Sequence, residues 1–137
     1  KHTMKTKSVV ITAPQKAELI DTDFPDTPTP KQILGRTICT LISPGTELGW
    51  NYKGEYVPNN PGYAAIFEVE KIGSEVTKVK PGDILYTMGP HCAQQQVAEE
   101  WAIPVPAGLA PDEAVVARLM SVSITMNRAP GAAGISN

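Results

Sequence analysis

Residues Pro61 to Met88 read PGYAAIFEVEKIGSEVTKVKPGDILYTM, and this stretch decides the fold. Ala65 to Ile72 alternates in part and carries β-branched residues, which suits a half-buried strand. Gly73 and Ser74 end it. Val76 and Val79 can tuck inward from the loop that follows. Pro81-Gly82-Asp83 is a turn signal, and Ile84 to Thr87 resumes as strand. The stretch is therefore two strands joined by a compact loop, and it is entered through Gly62-Tyr63-Ala64.

Working outward towards the N-terminus, Leu48 to Asn60 is loop-like and aromatic, with Trp50, Tyr52 and Tyr56. Ser43 to Glu47 reads as a turn. Gln32 to Ile42 is the longest β-type run. Ile38, Thr40 and Ile42 fall on one face, Cys39 and Leu41 on the other, so the apolar character of both faces predicts a central strand. Phe24 to Pro30 is an extended, proline-stiffened connector. Lys7–Thr12 and Ala17–Asp21 form a hairpin about Ala13 to Lys16.

Towards the C-terminus, Met88-Gly89-Pro90 turns the chain and Cys92 to Ala98 is a polar strand. Its Gln94-Gln95-Gln96 run reads as a solvated edge. Trp101 to Pro106 is a short strand capped by prolines. One helix follows: Pro111 suits the first turn, and Asp112 and Glu113 favour its positive end. Ala114, Ala117, Met120 or Ser121, and Ile124 keep a helical period to about Asn127. Residues 129–137 are a small-residue linker. Six or seven strands and one late helix predict a mainly β, small barrel-like fold.

The 137 residues suit one domain with a real core. A net charge of -2 gives no electrostatic reason for nucleic acid or an anionic membrane as partner. No apolar run reaches the roughly 18 residues of a membrane span. The start has no hydrophobic signal-peptide core; Met4 reads as the native start and residues 1–3 as a vector-derived remnant. Two cysteines, Cys39 and Cys92, read as free thiols of a cytoplasmic protein. Thirteen prolines and eleven glycines fit a turn-rich β fold.

The serial order PGYAAIFEVEKIGSEVTKVKPGDIL, a later A-x-P-V-P-x-G-L and an acidic, alanine-rich helix resemble the N-terminal domain of the medium-chain dehydrogenase/reductase (alcohol dehydrogenase-like) superfamily. The resemblance covers about Met4 to Arg128. It implies a GroES-like, partly open β-barrel with one C-terminal helix. It also implies a two-domain parent enzyme, in which this domain supplies substrate-side groups and a following Rossmann domain binds NAD(P)H. The strand and G-x-G-x-x-G of that second domain are not present, and Gly131-Ala132-Ala133-Gly134 has neither its spacing nor a strand before it. The expectation is a truncated catalytic domain that neither binds a dinucleotide tightly nor turns over alone.

The ligand positions of zinc-dependent members are altered as well. The cysteine position after the central strand is taken by Ser43, the G-H-E site is Gly62-Tyr63-Ala64, and the helix ligand falls on Arg118. A serine, a phenol and a guanidinium do not assemble a zinc site, so no zinc is expected. The resemblance places Thr46 near the nicotinamide ribose and the substrate oxygen; its alternative is a turn residue bonded to local backbone. Glu47 matches an acidic residue behind the metal ligands. A cation substituted beside an anion predicts a Glu47–Arg118 ion pair, unless Arg118 points to solvent. Tyr63 either donates to a substrate oxygen or packs at the strand entrance. His91, at the rim of a strand, is a proton donor, a substrate contact or a structural residue. Thr46, Tyr63 and His91 are thus the catalytic candidates, and Ser43, Glu47, Trp50 and Arg118 the substrate-side ones.

Two functions stay open at this point. One is the substrate-side domain of a zinc-independent NAD(P)H-dependent oxidoreductase acting on a small molecule. The other is a non-catalytic GroES-like binding or assembly module, because fold alone does not decide function. Truncation would also leave an interdomain face exposed, which predicts self-association through the Trp50–Tyr56 loop or the C-terminal helix.

Overall fold

The computed structural model describes residues 2–120. The predicted helix beyond Met120, Arg128 and the 129–137 linker lie outside them. Strands β1 (Thr3–Ala13) and β2 (Lys16–Pro25) make a two-stranded antiparallel sheet. The turn between them passes through Gln15 at φ 61°. Lys5–Asp23 and Lys7–Asp21 pair across the ladder at 2.7 Å each. Being exposed, they fix register more than they add stability, at about 0–1 kcal/mol apiece. The hairpin is longer than the sequence predicts. Phe24 and Pro25 stay paired with Met4 and Thr3, because a proline at a strand end needs no N–H for the ladder.

The second sheet contains β3 (Gln32–Thr40), β4 (Ala65–Ile72), β5 (Ile84–Thr87), β6 (Gln94–Ala98) and β7 (Ile103–Pro104), in the order β6-β3-β4-β5-β7. All its pairings are antiparallel. β3 is interior to the sheet, as its apolar faces predict. Both-face burial holds only at its start, where Ile33, Leu34 and Gly35 are buried; Ile38 and Ile42 are 40% and 67% exposed. β6 pairs only with Gln32 to Arg36. The β3–β4 ladder shifts between Leu34 and Gly35 and again between Thr37 and Cys39. Such irregularities bend a strand and raise its twist, which carries the end of β3 out of the core. β1 is tied by isolated bridges, Ser8–Cys92 and Ile11–Asn59, to the loops that flank the second sheet, and the two sheets do not close into a barrel.

One core cluster joins Ile33, Phe67, Val69, Leu85 and the loop residues Val76 and Val79. The last two turn inward as the opening stretch predicts. The β3–β4 contact is close: a Cβ at Gly35 would run into the Glu68 carbonyl and the Phe67 ring. A second cluster, Ala64, Ile66, Ala114 and Val115, seats the late helix on the sheet.

Two local readings are corrected. Pro44 to Tyr52 is helical, first as α1 (Pro44–Thr46), then as a π-helical turn, Glu47–Tyr52. Gln95 is not on a solvated edge but 2% exposed. The two-residue period turns it inward, where its amide donates to Thr37 Oγ1 and to the Pro90 carbonyl, both at 3.0 Å. The helix α2 (Pro111–Val115) begins at the expected proline, and residues 117–120 are again helical.

Candidate functional site

His91 is fixed first by its backbone. Its N–H donates to the Pro61 carbonyl and its carbonyl accepts from Val9 N–H, both at 2.9 Å. Gly62 lies behind it at φ +104°, and a Cβ there would stand 2.7 Å from the His91 nitrogen and 3.1 Å from its ring. Glycine alone meets both demands without strain. The ring is thereby delivered between two partners: Nε2 lies 2.8 Å from Glu47 Oε2, and Nδ1 lies 2.7 Å from Thr40 Oγ1. The His91 and Glu47 side chains are only 10% and 11% exposed.

Glu47 is held in turn by the helical turn that carries it. Its Oε1 accepts from the Ser43 N–H at 3.0 Å, while its own N–H donates to the Ser43 carbonyl at 2.9 Å. An ionised carboxylate only accepts, so the hydrogen between the pair sits on Nε2. Nδ1 then accepts from the Thr40 hydroxyl when the ring is neutral and donates to it when the ring is protonated. The result is a buried carboxylate–imidazole–hydroxyl chain. It forms the floor of a cleft of about 320 Å³, walled by Val9, Ile11, Ala17, Ile42, Leu48 and Tyr52.

The structure therefore brings together Glu47 and His91, with Ser43 joined through its backbone. The predicted Glu47–Arg118 ion pair is not formed. The carboxylate is taken up by Ser43 and by His91, which enters from the loop after β5. The Arg118 guanidinium instead stands 5.2 Å from the Tyr63 ring centroid, within cation–π reach. Thr46 and the 78%-exposed Trp50 are on the helical turns but do not line the cleft.

Arg118 also borders a second, larger groove of about 1020 Å³ between β5, β7 and the helix, with Tyr86, Trp101 and Ile103 in its walls. Burial pushes the Tyr86 phenol up, and the Arg118 charge opposes that. Burial, aided by Asp112, likewise raises the Cys39 thiol, which makes it a poor nucleophile. Cys92 Sγ accepts from the Ser8 hydroxyl at 3.1 Å.

Sequence reasoning missed Thr40, Gly62 and the hairpin wall. Thr40 left one signal, a lone hydroxyl between Ile38 and Ile42 on an apolar face. Gly62 left a weaker one, a glycine three residues before a strand. Val9, Ile11 and Ala17 left none, because nothing local says that the hairpin folds over this site. Among the described residues, no group of three or more His, Cys, Asp or Glu side chains could hold a metal ion. No helix among them is long and apolar enough to cross a membrane.

At the level of sequence, no protein-family model and no curated protein matches the chain. Solved structures do match its fold. An Escherichia coli oxidoreductase/dehydrogenase of unknown specificity aligns at 16% identity and TM-score 0.76 over 93% of this chain and 49% of its own. A Pseudomonas syringae quinone oxidoreductase aligns at 18% identity and TM-score 0.72, over 90% of this chain and 41% of its own. A Helicobacter pylori protein, CAD, whose structure is complexed with NADP(H), aligns at 12% identity and TM-score 0.75, over 91% and 50%. The chain thus spans half or less of the length of each. At such identities the likeness establishes the fold alone, a fold that makes up one part of each of these proteins.

Proposed function

We propose that this chain is the substrate-side domain of a zinc-independent, NAD(P)H-dependent oxidoreductase, and that it is not competent for hydride transfer alone. The observation that carries the reading is the His91–Glu47 pair, buried and oriented at the floor of a cleft, in a fold that makes up part of several oxidoreductases. An imidazole locked between a carboxylate and a hydroxyl is built to hold or move a proton. A small-molecule substrate is the partner that such a cleft fits.

The residues present do not fit either group that the fold suggests. A catalytic zinc takes three protein donors and leaves one position open; Ser43, Tyr63 and Arg118 do not supply them, and the two ligand-type side chains in reach of each other, Glu47 and His91, are already paired. A dinucleotide site of the Rossmann kind needs parallel strands and a glycine-rich turn into a helix, whereas every ladder among the described residues is antiparallel. On this reading NAD(P)H belongs to a second domain of the parent protein.

The test is the reading frame beyond Asn137 together with metal analysis and NADPH titration of the purified chain. The expected result is a following strand and glycine-rich fingerprint, no stoichiometric zinc, and no saturable NADPH binding by the chain alone. A stop codon there would favour a binding or assembly module, and one tightly held zinc per chain would overturn the zinc-independent reading.

A further inference from the structure

The larger groove, of about 1020 Å³, lies at the upper end of the range for small-molecule sites. It shares no lining residue with the cleft at His91. Four large apolar side chains that line it, Met88, Trp101, Ile103 and Leu109, are exposed. A contiguous apolar surface rimmed by polar groups marks a site of binding. The walls are also fixed in advance. Thr87 Oγ1 donates to the Trp101 carbonyl at 3.4 Å, and Val105 N–H donates to the Ile84 carbonyl at 3.0 Å. Pro104 and Pro106 stiffen the same wall. A pre-formed site loses little freedom when it is filled.

Its charge is sparse. Among the described residues that line it, Arg118 is the one cation and Glu100 the one carboxylate. The Arg118 guanidinium lies 5.2 Å from the Tyr63 ring centroid, and this contact orients its plane. Tyr86 lines the groove with it. Burial pushes that phenol up, against the pull of Arg118, so its hydroxyl stays a donor at neutral pH. A guanidinium carries five N–H donors in a planar fork that matches a carboxylate, and one neighbour does not exhaust it.

We propose that this groove binds a small amphipathic monoanion, its carboxylate against the Arg118 guanidinium and the Tyr86 hydroxyl, and its uncharged apolar chain along Trp101, Ile103 and Leu109. The inference goes beyond the oxidoreductase reading and needs neither a dinucleotide nor a metal. Charge complementarity selects the ligand. One cation balances one negative charge, so dicarboxylates and phosphate dianions are disfavoured, the more so with Glu100 also in the walls. An alkylamine meets Arg118 with like charge. A neutral alcohol fills the apolar walls but forgoes the charge-assisted bond.

The test titrates the 137-residue chain with octanoate, 1-octanol, octylamine and octanedioate, followed by calorimetry and by the NMR resonance of the Trp101 indole N–H. Octanoate should give a saturable shift. 1-Octanol should bind about 10–100-fold more weakly, the worth of a hydrogen bond to a charged group, and octylamine and octanedioate should also bind more weakly than octanoate. Arg118→Met should lower the octanoate affinity to that of 1-octanol and leave the 1-octanol affinity unchanged, while Arg118→Lys should recover part of the loss. Arg118→Gln serves if the methionine variant does not fold. Tyr86→Phe should weaken octanoate alone, and Trp101→Ala should weaken octanoate and 1-octanol alike. 1-Octanol or octylamine binding as tightly as octanoate, an unchanged octanoate affinity without the guanidinium, or no saturable shift at Trp101 would each overturn the inference. So would an octanoate affinity that falls as the protein concentration rises, since the groove would then be the seat of a second copy of the chain.

Discussion

Removing Glu47 in two ways separates a structural carboxylate from one that sets the protonation of His91. Glu47→Ala deletes both acceptors at once and leaves the Ser43 N–H and the His91 Nε2–H facing a space without partners. Each abandoned buried donor costs about 1–3 kcal/mol, so the pair costs roughly 2–6 kcal/mol, in line with the loss of one partner from a buried ion pair at about 3–5 kcal/mol. Against a total stability of about 5–15 kcal/mol this is severe. Glu47→Gln behaves differently. Its amide oxygen still accepts from Ser43, and its NH₂ faces Nε2. The ring answers by moving its hydrogen to Nδ1, which donates to Thr40, while Nε2 accepts from the amide. Every bond survives, and only the charge assistance is lost, about 1 kcal/mol. Urea unfolding followed by circular dichroism should therefore rank the alanine variant about 2–4 kcal/mol below the glutamine variant. Nitrogen NMR should find the ring hydrogen on Nε2 in the native chain and on Nδ1 in Glu47→Gln. Equal stability of the two variants within about 0.5 kcal/mol, or an unchanged tautomer, would refute the reasoning.

Four further outcomes are expected. Gly62→Ala, which forces a side chain into positive φ and against His91, should cost at least about 1–3 kcal/mol and shift the His91 ring resonances. Cys39, its thiol raised by burial and then by Asp112, should alkylate with iodoacetamide at neutral pH more slowly than free cysteine; an equal rate would contradict its environment. The Asp83 carboxyl is held below the usual range by hydrogen bonds from the Lys80 ammonium and backbone N–H. Its contribution is present above the unfolded carboxylate pKa and is lost as pH falls through the lower folded value, so Asp83→Asn should flatten the acid limb of the stability–pH curve. Sedimentation should show concentration-dependent association that weakens in a Trp50→Ser, Tyr56→Ser double variant, since these rings are 78% and 86% exposed.

What the sequence disclosed followed the range of the forces involved. Strand alternation and turn chemistry are local, so β4, β5, the hairpin and the inward Val76 and Val79 were all legible. The start of the late helix was legible for the same reason, from Pro111 and its acidic first turn. Gln95 was misread because three consecutive glutamines look alike in composition, although a strand sends the middle one to the opposite face. The Glu47–Arg118 pairing was a charge argument without a distance. The competing partner, His91, lies 44 positions further along the chain and is brought in by contacts with Val9 and Pro61 that no local pattern encodes. Thr40 was passed over because a strand threonine is ordinarily only a β-former.

The entrance to the opening stretch ties two groups of polar side chains to one backbone. Pro61 accepts the His91 N–H, Gly62 backs the His91 ring, and Tyr63 lies beneath Arg118. Three consecutive residues thus touch both the trio at the floor of the small cleft and the arginine that borders the larger groove. Groups that share a short backbone segment cannot shift independently, and substitutions in such neighbours are not additive. A Cβ at position 62 would press on His91 and, at its positive φ, strain the backbone that leads into Tyr63. The Gly62→Ala change should therefore couple to Arg118→Met as well as to His91→Gln in double-mutant cycles. Coupling to both, at the roughly 0.5–3 kcal/mol typical of contacting residues, would make the 61–63 segment the hinge on which the two clefts are aligned. Coupling to His91 alone would leave Tyr63 and Arg118 as an independent surface pair.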